Sequence, residues 1–303
     1  MATPQVNKVL KLTGHSDCVY ALEQGDLPKR FFSGAGDGMV VAWEQDKPEE
    51  GERIAQLPNS VYALHHLQKS NYLVVGHNYD GIHLLDWKHK KELASLQLTT
   101  SAIFDIKSFG NDLLVATGEG MLLVVDTETW VIKKKMLASD KSARSMAVNV
   151  RLGEMAVGYS DHTIKVFGLD DFQLKYEFRA HANSIFTLRY IPDSNLLISG
   201  SRDARLKVWD ATHQYHLVEE IAAHVYAIND ISFSPDGQYF ATASMDKSIK
   251  VWNTSQLKLL KVIDKARHAG HGTSVNKLLW TSYNNQLLSA SDDKAISVWD
   301  IQF

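Results

Sequence analysis

Short apolar segments separated by turn residues recur along the whole chain. In residues 184–221, the segments SIFTLRYI, LLISGS, RLKVWD and YHLVEEI are rich in β-branched and aromatic residues and partly alternate with polar ones. The PDSN, RDA and THQ segments between them are typical of turns. The pattern therefore predicts four short β-strands. No window sustains a 3.6-residue period, so the sequence predicts no long helix.

The segment SGSRDARLKVWD at 199–210 shows that this unit repeats. Similar segments begin at 33, 242 and 289, and weaker copies begin at 76, 115 and 157. Four strands repeated at intervals of 40 to 47 residues are typical of a β-propeller. We therefore expect an all-β fold, a seven-bladed propeller of four-stranded blades, as a single domain over residues 1–303. The place of Trp209 is held in chain order by Trp43, Leu85, Val125, Phe167, Trp209, Trp252 and Trp299.

Dipeptides at the ends of several units resemble those of the WD-repeat family. They are Gly14-His15 with Trp43, Ala180-His181 with Trp209-Asp210, and Gly270-His271 with Trp299-Asp300. The resemblance covers the whole chain, is strong in units 1, 5, 6 and 7, and is degenerate in units 2 to 4. It implies blades that radiate around a central channel. The last unit lacks a fourth strand, and the N-terminal segment of about residues 6–12 has the pattern of one. We predict that this segment completes the last blade and closes the ring.

Ser, His and Asp, the components of a hydrolytic triad, recur together in four units. An active site is needed once, so fourfold repetition favours a structural role. In the WD-repeat family these side chains and Trp form a chain of hydrogen bonds that braces the strands, and the resemblance implies the same role here. The four sets are His15, Ser33, Asp37 and Trp43; His181, Ser199, Asp203 and Trp209; His224, Thr242, Asp246 and Trp252; and His271, Ser289, Asp293 and Trp299.

Units 2 to 4 lack several members of this set. Leu57, Thr99 and Ser139 stand at the place of the His, and Gly76, Val115 and Val157 stand at the place of the Ser or Thr. Removing polar partners together can be nearly neutral for stability. We therefore expect these three blades to depend on apolar packing.

The composition argues against several classes of function. The 303 residues are 45% hydrophobic and 22% charged, as in a globular protein, and the net charge of −3 gives no basic surface for nucleic acid. No apolar run is long enough to span a bilayer, and the first residues do not resemble a secretory signal. With its single cysteine, Cys18, the chain forms no internal disulfide. We expect an intracellular, cytoplasmic protein without contact to membrane or nucleic acid.

Other chemistry has little support in the sequence. No phosphate-binding loop is present, and the acidic segment DKPEEGE at 46–52 is interpreted as a solvated turn. Lys133–Lys135 is assigned to the outermost strand of its blade. Histidines outside the four sets are not accompanied by a cysteine or carboxylate pattern, so we predict no metal site and no cofactor. These histidines include His65, His66, His77, His213, His216 and His268.

Two positions in each blade are expected to face the narrow end of the channel, where the resemblance implies that partners bind. One follows the first β-branched residue of the inner strand, and the other precedes the turn Asp. Aromatic residues, Arg and Met are enriched in interfaces, although these side chains can also simply pack against each other as channel lining. The predicted rim consists of Tyr20, Tyr62, Tyr79, Phe104, Arg144, Phe186, Arg202, Asn229, Met245, Asn276 and Asp292.

The sequence thus predicts a non-enzymatic scaffold or adaptor that presents this rim to a protein or peptide. The protein would act as a monomer or as a subunit of a multiprotein complex. One alternative is a reader of phosphorylated or modified peptides, because Arg144 and Arg202 favour carboxylates and phosphates. The other is an enzyme at the channel mouth. Its best polar cluster would be Arg144, Arg202 and Asp292, which offers no nucleophile or base.

Overall fold

Seven antiparallel sheets of four strands form a β-propeller in this computed structural model, which describes residues 4–303. The chain begins with β1 (Gln5–Leu12). Blade 1 contains β2 (Val19–Gln24), β3 (Arg30–Ala35), β4 (Met39–Glu44) and β5 (Lys47–Gln56). Blade 2 contains β6 (Val61–Leu67), β7 (Tyr72–His77), β8 (Gly81–Asp86) and β9 (Lys91–Gln97). Blade 3 contains β10 (Ile103–Phe109), β11 (Asp112–Thr117), β12 (Met121–Asp126) and β13 (Ile132–Leu137).

The remaining blades follow the same order along the chain. Blade 4 contains β14 (Ala143–Asn149), β15 (Glu154–Tyr159), β16 (Thr163–Gly168) and β17 (Leu174–Arg179). Blade 5 contains β18 (Ile185–Tyr190), β19 (Leu196–Ser201), β20 (Arg205–Asp210) and β21 (His216–Ala222). Blade 6 contains β22 (Ile228–Phe233), β23 (Tyr239–Ser244), β24 (Ile249–Asn253) and β25 (Lys258–Ile263). Blade 7 contains β26 (Val275–Trp280), β27 (Leu287–Ser291) and β28 (Ile296–Gln302).

Helical structure is limited to single turns, as the absence of a 3.6-residue period predicts. Within residues 4–303, the helical segments are α1 (Lys265–His268) and two 3₁₀ turns, Ala211–His213 and Tyr283–Asn285. In this part of the chain, no helix combines the length and apolar character required to cross a bilayer.

The N-terminal strand supplies the fourth strand of blade 7. The sheet order is β1-β28-β27-β26, and β1 runs antiparallel to β28 with Gln5 opposite Gln302 and Leu12 opposite Ile296. The prediction that about residues 6–12 close the ring is therefore confirmed. Leu12 is buried in a core cluster with Ile296 and Val298. The pairing thus joins the two ends of the chain through both hydrogen bonds and apolar packing.

The residues group into two compact units. The first comprises the described residues up to Leu73 with Asp86–Lys91 and Asn229–Phe303, and the second comprises Val74–Leu85 and Glu92–Ile228. Each unit has its own apolar clusters. The first unit is packed around side chains such as Phe31 and Trp299, and the second around side chains such as Tyr159 and Leu197.

Several successive blades are in close contact at a glycine in the second strand. A Cβ atom on Gly34 would lie 2.5 Å from Cγ1 of Val61, the first residue of the next inner strand. No real side chain fits at that distance, so glycine permits the packing of β3 against the fully buried Val61. The same arrangement recurs at Gly76 with Ile103, Gly158 with Ile185, and Gly200 with Ile228.

This packing corrects the alignment of unit 2. Gly76 takes the place of Gly34, so the residue at the place of Ser33 is Val75 and not Gly76. By the same count, Tyr79 stands at the place of the turn Asp, not before it. Counted from the ends of the flanking strands, Asp80 and Gly81 of blade 2 stand one residue later than Asp37 and Gly38 of blade 1. An alignment on these two residues therefore shifts the other positions of the hairpin by one.

Side chains of one inner strand also accept hydrogen bonds from the backbone of the next inner strand. An inner strand pairs with the second strand of its blade along one edge only, so N–H groups on its other edge need another acceptor. Distances from the acceptor oxygen to the backbone nitrogen are 3.0 Å for Glu23 to His66, 2.7 Å for Asp105 to Met146, 3.1 Å for Ser145 to Leu188, 3.0 Å for Asp230 to Leu278 and 3.0 Å for Ser232 to Trp280.

The acidic segment at 46–52 is part of a strand, contrary to its interpretation as a turn. Lys47–Gln56 forms β5, which pairs with β4 and leaves most of its side chains in solvent. An outermost strand exposes its surface to water, so its charged residues do not prevent pairing. Lys133–Lys135 lies in β13, the fourth strand of blade 3, as predicted.

Replacing Leu12 tests the ring closure. We expect Leu12→Ala to lower the free energy of unfolding by about 2–5 kcal/mol, because it opens a cavity in the core cluster that Leu12 shares with Val19, Phe31 and Ile296. Lys11→Ala, on the exposed face of the same strand, is the matched control and should change little. Urea denaturation measures both variants, and equal stability of the two would show that β1 contributes no packing.

Candidate functional site

The His, Ser, Asp and Trp side chains of blade 1 form a continuous hydrogen-bonded chain, called the brace below. Trp43 Nε1 donates to Ser33 Oγ at 2.8 Å, and Ser33 Oγ lies 2.7 Å from His15 Nε2. His15 Nδ1 lies 3.3 Å from both carboxylate oxygens of Asp37. The serine hydrogen satisfies His15 Nε2 when the histidine carries its proton on Nδ1 and donates it to Asp37.

The brace recurs in blades 5 and 7, and its tryptophan contact recurs in blade 6. The hydroxyl oxygens of Ser199 and Ser289 each lie 2.8 Å from the Nε2 atom of their histidine. The closest His Nδ1 to Asp distances are 3.0 Å for His181–Asp203 and 2.9 Å for His271–Asp293. Trp Nε1 donates over 2.9 Å in Trp209–Ser199, 2.8 Å in Trp299–Ser289 and 3.0 Å in Trp252–Thr242.

The geometry places Ser, His and Asp in the order of a catalytic triad, but the serine is closed to substrate. Ser33, Ser199 and Ser289 have no exposed surface, and each hydroxyl already accepts a hydrogen bond from an indole. A nucleophile must reach the carbonyl carbon of a substrate. The brace therefore ties two strands, the loop before the inner strand and the hairpin turn together, and its buried serine is not available as an attacking group.

Burial sets the charge state of the brace. Burial lowers the pKa of His15 and of His181, although Asp37 and Asp203 act in the opposite direction. For Asp203, burial alone would raise the pKa, but hydrogen bonds from His181 and from backbone N–H groups outweigh it and lower the pKa. The brace is thus stable as a neutral imidazole beside a carboxylate.

Blades 3 and 4 retain a shortened brace in addition to their apolar packing. Thr99 Oγ1 donates to Glu119 Oε1 at 2.6 Å, and Ser139 Oγ donates to Asp161 Oδ2 at 2.6 Å. The hydroxyl stands at the place of the His and contacts the turn carboxylate directly. Blade 2 instead has Leu57, Val75, Tyr79 and Leu85 at the four brace positions.

In the first compact unit, the predicted rim residues contact one another. The rings of Tyr20 and Tyr62 have centroids 4.6 Å apart. The Asn276 amide donates to Asp292 Oδ1 at 2.8 Å and to the carbonyl of Val19 at 3.1 Å. The Asn229 amide donates to Ser274 Oγ at 3.0 Å and to the carbonyl of Val275 at 2.8 Å. These half-buried side chains form an ordered lining.

In the second unit, Arg144 lies between two predicted rim aromatics. Its guanidinium carbon is 4.1 Å from the ring centroid of Phe104 and 5.5 Å from that of Phe186. Its Nε donates to Ser160 Oγ at 3.0 Å. Stacking on two rings fixes the orientation of the charge.

Three predicted rim residues, Tyr79, Arg202 and Met245, are exposed on hairpin turns. The sequence reasoning missed an exposed pair, Val225 and Tyr226, which are 77% and 62% exposed. They directly follow His224, where the other braced units have Ser16-Asp17, Ala182-Asn183 and Gly272-Thr273. Two large side chains at places that are otherwise small or polar were the available signal.

Two members of the polar cluster considered for an enzyme are held by their neighbours. The Asp292 carboxylate accepts a hydrogen bond from Asn276, and its backbone carbonyl lies 3.8 Å from Cys18 Sγ. Arg144 contacts Phe104, Phe186 and Ser160.

One group in blade 2 has the composition of a metal site. Single ligand atoms of His77, Asp80 and His83 lie within 4.8 Å of one another. The prediction of no metal site considered His77 without its neighbours in the hairpin. The spacing His-x₂-Asp-x₂-His was the signal in the sequence.

Comparison with known proteins agrees with the repeats. The family model described as WD domain, G-beta repeat, matches residues 6–44, 172–210, 216–253 and 262–300. The chain is 29% identical to Periodic tryptophan protein 2 of Arabidopsis thaliana over 38% of this chain and 13% of that protein. It is 31% identical to the CCR4-associated factor 4 homolog of Candida glabrata over 36% of this chain and 17% of that protein. It is 26% identical to Echinoderm microtubule-associated protein-like 1 of Rattus norvegicus over 43% and 17%. The matches thus span less than a fifth of the length of these curated relatives.

Removing the central hydroxyl of a brace tests its contribution to stability. Ser199→Ala leaves the buried His181 Nε2 and Trp209 Nε1 without their shared partner, so we expect the free energy of unfolding to fall by about 2–4 kcal/mol. Ser70→Ala, at an exposed serine, is the control in the same urea denaturation experiment. A loss for Ser199→Ala no larger than that of the control would contradict the brace.

The neutral histidines of the braces also predict a pH dependence. The pKa values of His15 and His181 are lowered by folding, so as the pH falls below about 6.5 the unfolded chain binds protons that the folded chain does not. The lowered pKa of Asp203 acts in the same direction at lower pH. We expect the free energy of unfolding to decrease from about pH 7.5 to about pH 5, and to decrease less in His181→Asn. An increase in stability over this range would instead indicate imidazolium–carboxylate pairs.

Proposed function

This chain belongs to the WD40 family of WD-domain repeats, and on that premise we propose that it is a non-enzymatic scaffold with a protein or peptide partner at its aromatic and arginine-bearing rim. Propellers of this family generally mediate protein interactions. Two relatives carry an association in their names, with CCR4 in one protein and with microtubules in the other. The brace supports a scaffold because it uses the Ser-His-Asp sets of blades 1, 5 and 7 for internal hydrogen bonds.

The observation that carries the proposal is the exposed patch at the end of blade 5, formed by Arg202, Val225 and Tyr226. Large apolar side chains with this exposure, beside an arginine, have the composition of an interface centre. The carbonyl of Ala204 accepts hydrogen bonds from the backbone N–H groups of Ala223 and His224, each at 3.2 Å. These bonds hold the turn that bears Arg202 against the segment that bears Tyr226, so the patch is preorganised.

Arg144 favours an acidic group in the partner. A guanidinium forms paired hydrogen bonds to a carboxylate or a phosphate, and its stacking between Phe104 and Phe186 reduces the conformational freedom lost on binding. A phosphorylated peptide is therefore the second candidate ligand. It differs from an acidic peptide in its sensitivity to phosphatase.

A pull-down from native lysate tests the exposed patch of Arg202, Val225 and Tyr226. We expect Arg202→Glu combined with Tyr226→Ala to reduce capture of the partner by at least about tenfold, because it reverses the charge and removes the aromatic contact of the patch. The matched control combines Lys135→Glu with Val131→Ala on the outer edge of blade 3. It likewise reverses one positive charge and shortens one exposed side chain. Mass spectrometry identifies and quantifies the captured proteins.

The outcomes separate the possible sites. Partners kept by wild type and control but lost by the Arg202/Tyr226 variant support a binding site at the patch of Arg202, Val225 and Tyr226. Partners kept equally by all three proteins would refute that site and direct the search to other surfaces. Loss of the same partners after phosphatase treatment of the lysate would identify a phosphorylated ligand, and retention would identify an unmodified one.

A further inference from the structure

The hairpin of blade 2 brings two histidines and an aspartate together. His77 is the last residue of β7, His83 is the third residue of β8, and Asp80 lies in the turn between these strands. The two imidazole rings are stacked with centroids 4.8 Å apart and planes 21° from parallel. Gly81, with φ of 123°, lets the turn lie against β9, since a Cβ atom there would be 2.1 Å from the carbonyl oxygen of Leu96.

The second nitrogen of each ring already has an acceptor. His77 Nδ1 lies 2.9 Å from the carbonyl oxygen of Asn78, and His83 Nδ1 lies 3.3 Å from Glu92 Oε1. Neither oxygen carries a hydrogen, so both Nδ1 atoms bear the proton and donate it. Each neutral ring then presents the lone pair of Nε2. Histidine ligands in metal sites are held in this way, with the other nitrogen donating to a carbonyl or a carboxylate.

The two Nε2 atoms face the same carboxylate and have no proton to share with it. Both are buried without a hydrogen-bond partner among residues 4–303, and the His77 side chain is fully buried. Asp80 Oδ2 lies 3.4 Å from His77 Nε2 and 3.7 Å from His83 Nε2. Two imidazole nitrogens and a carboxylate oxygen thus lie within 4.8 Å of one another.

The spacing suits one tetrahedral ion. Two ligand atoms bound to zinc at 2.0–2.1 Å with tetrahedral angles are about 3.3 Å apart. The two distances from Asp80 exceed that separation by at most a few tenths of an ångström, and all three ligand atoms lie within 4.8 Å of one another. Binding of one ion therefore requires small side-chain rotations, for which the half-exposed Asp80 has room. Two imidazoles and a carboxylate are ligands that Zn²⁺ accepts, and the exposed side of Asp80 leaves room for water as fourth ligand.

We propose that His77, Asp80 and His83 form a zinc-binding site in which Glu92 and the carbonyl of Asn78 orient the two histidines. The bound ion joins the ends of β7 and β8 at the turn. Blade 2 has apolar or aromatic residues at all four brace positions, so the ion takes over the function of the brace in that blade. Zinc therefore stabilises the protein through a hairpin that the other blades hold with hydrogen bonds.

The experiment uses the untagged full-length chain after removal of metal by a chelator. Zn²⁺ is titrated calorimetrically, Co²⁺ is titrated by its visible absorption, and the melting temperature is measured with and without Zn²⁺. We expect one ion per chain, a tetrahedral Co²⁺ spectrum and a rise in melting temperature. Glu92→Gln should weaken Zn²⁺ binding by about 10-fold or more, and His83→Gln should weaken it more strongly.

The control addresses adventitious binding at exposed histidines. His213 lies on the surface with Nδ1 2.8 Å from Asp210, so His213→Gln removes an ordinary surface pair of the same chemistry. This variant should bind Zn²⁺ as wild type does. Circular dichroism is used to check that His83→Gln folds. The isosteric Asp80→Asn is a second ligand variant, at a half-exposed position. Absence of binding to wild type, or equal affinity of wild type, His83→Gln and Asp80→Asn, would overturn the proposal.

Discussion

The contact between a glycine and a β-branched residue sets how closely successive blades pack. At Gly34 the backbone of β3 touches Val61, and the same pair recurs at Gly76, Gly158 and Gly200. A side chain at these positions would push the sheets apart, and the apolar faces that bury Phe31 and Leu197 would lose their neighbours. The polar contacts depend on this distance. An inner-strand carboxylate such as Glu23, at the junction of Gly34 with Val61, reaches the N–H group of His66 only when the two blades are in close contact.

The braces act within blades, where apolar packing is less specific. A strand that slips by two residues keeps each side chain on its own face of the sheet, whereas a chain of directional hydrogen bonds from Trp209 through Ser199 and His181 to Asp203 has one arrangement. The same side chains occur in hydrolases, which shows how burial decides function. With the hydroxyl of Ser199 enclosed, an array that could activate a nucleophile instead holds a turn.

The sequence predicted the features that repeat. The spacing of Trp43, Trp209, Trp252 and Trp299 determined the number of blades, and the pattern of residues 6–12 identified the strand that completes the last one. Features that occur once, or that depend on a neighbouring blade, were not predictable from a single unit. The strand character of the acidic segment at 46–52 depends on pairing with β4. The short brace of Ser139 with Asp161 depends on a distance between two loops. The predicted rim also contains both half-buried residues such as Tyr62 and exposed residues such as Arg202. A repeat alignment gives the place of each residue but not its exposure.

The pairing of β1 with β28 means that the same seven blades could be built from a chain that starts at a different residue. These strands are antiparallel, with Gln5 opposite Gln302, so the end of β28 lies beside the start of β1. This is the relation between the third and fourth strands of every other blade, where a short turn joins them. A circularly permuted chain that starts after Leu12 and carries residues 4–12 behind Phe303 would contain seven complete meanders in succession. Closure of the ring would then need no pairing between residues at opposite ends of the sequence, and the last blade would form from local contacts like the others.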